Sequence, residues 1–153
     1  MMKNVDTLED LEHFLGRKLT RFDVDDSAGH PGIRLARACD AVRADIRTGD
    51  LEAVSIACQV IGKDPRLPFG RIIKSNFARV LKQHPALLTE AQRWSLIDKT
   101  LALIQLDYCP RETEDCCKLL RKFELAPLSR KIGEVRASDP KSRKLLSGLL
   151  SNR

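Results

Sequence analysis

Apolar side chains in this chain return at every third or fourth position, and proline, glycine or capping residues cut the pattern into short lengths. A period near 3.6 describes a rod with one greasy side that must shelter against other rods, so the chain is committed to packed helices. Between Pro31 and Thr48, Leu35, Cys39, Val42 and Ile46 share a face, and Gly49 supplies a left-handed stop. Asp50 caps the next helix, where Leu51, Val54, Cys58 and Ile61 align before Gly62 ends it. Residues 31–62 therefore predict an antiparallel helical hairpin.

Six more helices follow from the same logic. Thr7 caps a first helix with Leu8, Leu11, Leu15 and Leu19 on one face, ending before Arg21. After the break KDPRLP, Phe69, Ile72, Ile73, Phe77, Val80 and Leu81 give a fourth helix a broad apolar face that runs to His84 and Pro85. Thr89 and Gln92 form a capping box for a fifth helix over residues 90–107. On it Trp94, Ile97, Leu101 and Ile104 lie nearly opposite Leu96, Leu103 and Leu106, which predicts the most buried element of the fold, with Trp94 as a core anchor. Pro110 precedes a sixth helix with the stripe Cys116, Leu119, Leu120 and Phe123, and Pro127 a short seventh with Leu128, Ile132 and Val135. Asp139 and Pro140 open an eighth, carrying Leu145, Leu146, Leu149 and Leu150.

Composition agrees with this reading. At 153 residues a single domain buries about 70% of its unfolded surface, enough for a core without covalent staples. Aromatic residues make up only 5%, so that core is aliphatic and suits helices better than sheets. One all-α domain is expected, with residues 1–30 as a first helix and acidic loop, 31–138 as helical pairs and 139–153 as a basic amphipathic end. No run reaches the roughly 18 apolar residues of a membrane span, and the start, MMKNVDTLED, is unlike a secretory leader. Five cysteines at irregular spacing fit reduced thiols, so a cytoplasmic protein is expected.

Consecutive helices with Pro or Gly corners and two-sided middle members resemble an α-solenoid of the HEAT or armadillo kind. The resemblance is one of helix pattern. It covers residues 31–138 as three pairs, 31–62, 68–107 and 111–137, slightly under the usual repeat of about 40 residues. It implies a non-enzymatic scaffold whose inner helices line a concave binding surface. The uneven period leaves an orthogonal helical bundle open beside it.

Motifs for catalysis are scarce. Cys39, Cys58 and Cys116 fall on apolar stripes and read as small core residues, whereas Cys109, beside Pro110, and Cys117, on a helix flank, read as freer thiols. No Cys/His spacing suits tetrahedral zinc. The loop from Asp23 to Gly29 imitates a calcium site, but Ala28 replaces the required glycine and Arg34 the required glutamate. There is no phosphate-cradling glycine loop, no G-x-S-x-G elbow and no H-E-x-x-H helix. Neither cofactor nor metal is expected.

Charge points to binding. The chain holds 27 Lys+Arg against 21 Asp+Glu, and its first thirty residues are net acidic, so the basic surplus lies further on. On helix four, Arg71, Lys74, Ser75, Arg79 and Lys82 gather opposite Ile73 and Val80 as a basic ridge. Asn76 projects into the apolar face between Ile72 and Val80, where it requires a hydrogen-bond partner, either from a neighbouring helix or from a bound peptide backbone. A second cluster runs through Arg130, Lys131, Arg136, Lys141, Arg143 and Lys144. The expected function is a non-enzymatic interaction module for another protein. The alternatives are nucleic-acid binding through helix four and the basic end, and a reaction at Cys109 or Cys117.

Overall fold

A computed structural model describes residues 4–24 and 29–151. Among them lie eight α-helices, three single 3-10 turns and no strand, so the chain is all-α. The helices are α1 (Leu8–Leu15), α2 (Pro31–Arg47), α3 (Leu51–Lys63), α4 (Gly70–Gln83), α5 (Glu90–Ile104), α6 (Arg111–Leu120), α7 (Ser129–Gly133) and α8 (Pro140–Ser151). None is long and apolar enough to cross a membrane. The acidic loop expected to imitate a calcium site includes residues 25–28, which lie outside the described residues.

Local chemistry sets most boundaries. Thr7 and Asp10 make a reciprocal capping box at α1, and Thr89 and Gln92 another at α5, each satisfying amides that a helix start leaves orphaned. Asp50 accepts from the Ala53 amide at 2.9 Å to open α3. Two ends differ from expectation. Helix α1 stops at Gly16, in left-handed geometry, although Leu19 and Phe22 beyond it are still buried. Gly62 does not end α3 but sits inside it, where a Cβ would come within 3.1 Å of Ser95 Oγ on α5; the helix stops instead at left-handed Asp64.

Packing runs between alternate helices. α2, α4 and α6 lie side by side, α3 lies against α5, and α2–α3, α3–α4 and α5–α6 join the two rows. α4 and α5 follow one another in sequence but do not form a packed pair; α4 lies most heavily on α6. One contiguous core runs from Val5 to Leu149, with α1 covering one end and α8 resting on α5, α6 and α7 at the other. α3 and α6, each with seven buried residues, are more deeply enclosed than α5. Trp94 is no core anchor: it is 41% exposed, with the Lys131 ammonium 5.5 Å from its ring centre. It sits near the start of α5.

Candidate functional site

The turn between α3 and α4, the start of α4, the last turns of α5 and the start of α6 enclose a cleft of about 800 Å³. A hub stands at its base. Asp64 receives the Lys74 ammonium on one carboxylate oxygen and the Lys99 ammonium, at 2.9 Å, on the other. Lys74 also donates to the Pro65 carbonyl at 2.8 Å, which ties α4 and α5 to the end of α3. Burial alone would raise the Asp64 carboxyl, but the two ammonium groups outweigh it and hold the carboxyl below its ordinary range.

Glu112, in the first turn of α6, lines the same cleft and is 6% exposed. It has no ion-pair partner among the described residues, because Asp64 has already taken Lys74. Burial pushes its carboxyl up, and Asp64 adds to the shift, against the opposing pull of Lys74, of a hydrogen bond from its own backbone amide and of Arg71.

The mouth has a different character. Arg66, Arg71 and Arg111 line it, all exposed and none with an ion-pair partner among the described residues. Counting Lys74 and Lys99, five cations face two carboxylates, a surplus of three. Phe69 (55% exposed), Tyr108 (56%), Ile72 and Leu106 share the rim, half of the eight exposed large hydrophobic residues described for the molecule. Phe69 holds a left-handed backbone (φ 58°) that costs a residue of its shape about 1–2 kcal/mol. Phe69 begins α4 and Pro110 begins α6, and neither start has a side-chain cap. Nearby carbonyls take part of what these starts leave open: Leu67 accepts from the Gly70 amide and Pro110 from the Thr113 amide, each at 3.0 Å.

The expected ridge on α4 comes apart. Arg71 lines the cleft, but Lys74 is an internal ion-pair partner at 7% exposure, and Ser75 is buried with its hydroxyl unpaired among the described residues. Arg79 is spent on Asp115 of α6 at 3.2 Å, and Lys82 is half-buried in the last turn. The reason is α6, which packs on the side of α4 expected to face water. Asn76 is only half-buried and makes no side-chain hydrogen bond among the described residues, so the partner expected for it is missing; solvent reaches it because Ile72 beside it is exposed. In the C-terminal cluster Lys141 lies 3.8 Å from Glu114, while Arg143 and Lys144 are exposed on α8, and none of the three lines the cleft.

The thiols also need correction. Cys39, Cys58 and Cys116 are buried as expected, but so is Cys117, fully enclosed and pushed by burial up to about 12. Only Cys109 is partly open, its Sγ 3.8 Å from the Pro110 carbonyl.

Sequence reasoning missed Asp64, Arg66, Phe69, Lys99, Tyr108, Arg111 and Glu112 as a group. A faint signal was present: Pro65-Arg66, in the turn before α4, and Pro110-Arg111, at the start of α6, repeat one dipeptide, each with an aromatic residue close by. No protein-family model, curated protein or solved structure matches the chain.

Proposed function

We propose that the chain is a non-enzymatic interaction module whose cleft captures an acidic, apolar-anchored segment of a partner protein. The observation that carries this reading is the meeting of three unpaired arginines and four exposed large apolar side chains around one cavity. Arginine and aromatic residues dominate binding energy at protein interfaces, and such a concentration of exposed apolar surface marks a place where something docks. Aliphatic walls from Leu67, Ala102, Leu103 and Leu106 suit an apolar anchor, and the guanidinium groups suit flanking carboxylates through paired hydrogen bonds. Alternate helices stack as they do in HEAT-type scaffolds, but the expected pair of α4 with α5 does not pack, so this reading leans on the cleft and not on a repeat. Four enclosed thiols give no support to cysteine chemistry, and free cysteines suit a reducing, cytoplasmic setting.

Single-stranded nucleic acid is the second reading, favoured by Phe69 and Tyr108 as stacking faces beside cations. It stands second because much of the lining is aliphatic, with Leu67, Ala102 and Leu103 beside Ile72 and Leu106, and a sugar-phosphate chain makes no use of such walls.

Fluorescence anisotropy separates the two readings. A labelled peptide pool rich in Asp, Glu, Leu and Phe should bind the chain, and R71E/R111E should weaken it by about tenfold or more. A labelled single-stranded RNA that binds more tightly than the peptides, with affinity collapsing as salt rises, would establish the second reading instead.

A further inference from the structure

We propose that the acidic group this cleft is shaped to hold is a phosphate monoester, a phosphoserine or phosphothreonine on the partner segment, gripped by Arg66, Arg71 and Arg111. The inference rests on the protein-binding reading and names the chemistry of its ligand. A single carboxylate carries one charge and engages one guanidinium fork, which would leave two of the three arginines uncompensated. A phosphate monoester brings a charge of about −1.5 to −2 and three strong acceptor oxygens, matching the cleft's cationic surplus of three far better. Arginine is the residue suited to such recognition, because its planar fork meets tetrahedral oxyanions in pairs of hydrogen bonds.

Donors from the backbone add to these side chains. The α4 start has no acidic residue in its first turn and no side-chain cap; the Leu67 carbonyl takes the Gly70 amide, and the Arg71 and Ile72 amides add to the positive end of the helix. At the α6 start Glu112, 6% exposed, accepts a hydrogen bond from its own backbone amide, so the grip on an anion is left to the arginines. Lys74 and Lys99, held on Asp64, supply positive background without moving.

The surrounding surface explains why a peptide carries the phosphate. Phe69, Ile72, Leu106 and Tyr108 frame the arginines with apolar contacts that inorganic phosphate cannot use. Free phosphate should therefore compete only weakly, at millimolar concentration.

The test uses the full chain and two degenerate peptide libraries that differ only in a central residue, phosphoserine or phosphothreonine in one and the unmodified residue in the other. The phosphorylated library should bind about tenfold or more tighter, and R71Q/R111Q should abolish that difference while leaving the circular dichroism spectrum and melting temperature unchanged, since both arginines are exposed and unpaired. R71K/R111K, which keeps the charge but loses the fork, should lose most of the preference. Equal binding of the two libraries would overturn the phosphate assignment and leave the acidic-segment reading standing. Failure of both libraries to bind would overturn both. Tighter binding of an RNA pool than of the phosphorylated library would also overturn the assignment and transfer the arginines to nucleic acid.

Discussion

Asp64 carries more of this fold than any other side chain near the cleft. It closes α3 in left-handed geometry, which Asp tolerates better than most residues, and anchors Lys74 and Lys99 from two other helices. Replacing it with Ala strands the buried Lys74 charge, so D64A should lower unfolding free energy by about 3 kcal/mol, read as a shift in the urea midpoint. Asp64 and Glu112 also give stability opposite dependences on pH. Asp64 is held below its ordinary 3.8, so its contribution is present above that pH and is lost as pH falls through the depressed value. Glu112 is raised above its ordinary 4.5, so the folded chain binds the extra proton, and stability falls as pH rises from 4.5 through the raised value. E112Q should remove that second loss and be more stable than the parent at pH 7 but not at pH 4. Equal urea midpoints for the two proteins at pH 7 would contradict the account of Glu112. Phe69 offers the complementary case of a residue kept at a cost. F69N relieves a left-handed strain that Asn accepts, so it should hold stability within about 1 kcal/mol while weakening peptide capture.

Elements were legible where a local signal sufficed. The capping boxes at Thr7 and Thr89 and the proline start at Pro31 need only neighbouring residues, and each opens a helix where the pattern places it. T89A should accordingly cost about 1 kcal/mol, measurable in thermal unfolding. Helix α4 shows the limit. Periodicity separates its apolar stripe from its polar side but does not reveal how many neighbours the helix will have; with α2, α3 and α6 packed around it, Lys74 and Ser75 are enclosed. The same limit misplaced Trp94 and Cys117. Trp94 has the spacing of a core residue but is 41% exposed, with Lys131 of α7 over its ring, whereas Cys117 lies on the flank of a helix enclosed nearly all round. Alkylation of the native protein checks the thiols: Cys109 should react first, with Cys39, Cys58, Cys116 and Cys117 protected until unfolding.

At the scale of the whole molecule, the cleft exists only because alternate helices stack. Residues 64–72 and 99–112 are distant in sequence and share no contiguous motif, so neither half reads as a site alone. What joins them is the position of α6 across α4, which sets the unpaired arginines of two helix starts around one opening. Of the basic residues that stand out in the sequence, Arg71 and Lys74 reach the cleft, whereas Arg79, Lys82 and those on α8 lie elsewhere, and Lys74, Arg79 and Lys141 are engaged with carboxylates of the same chain. Net charge thus says little about where an acidic partner lands; unspent charge beside exposed apolar surface says more.

Amide chemical-shift mapping on isotope-labelled protein tests this claim most directly, using the phosphorylated peptide library as titrant. The account predicts that the largest shifts fall in residues 64–72 and 99–112, with Lys141, Arg143 and Lys144 unmoved. Shifts centred on α8, with the cleft residues silent, would contradict it.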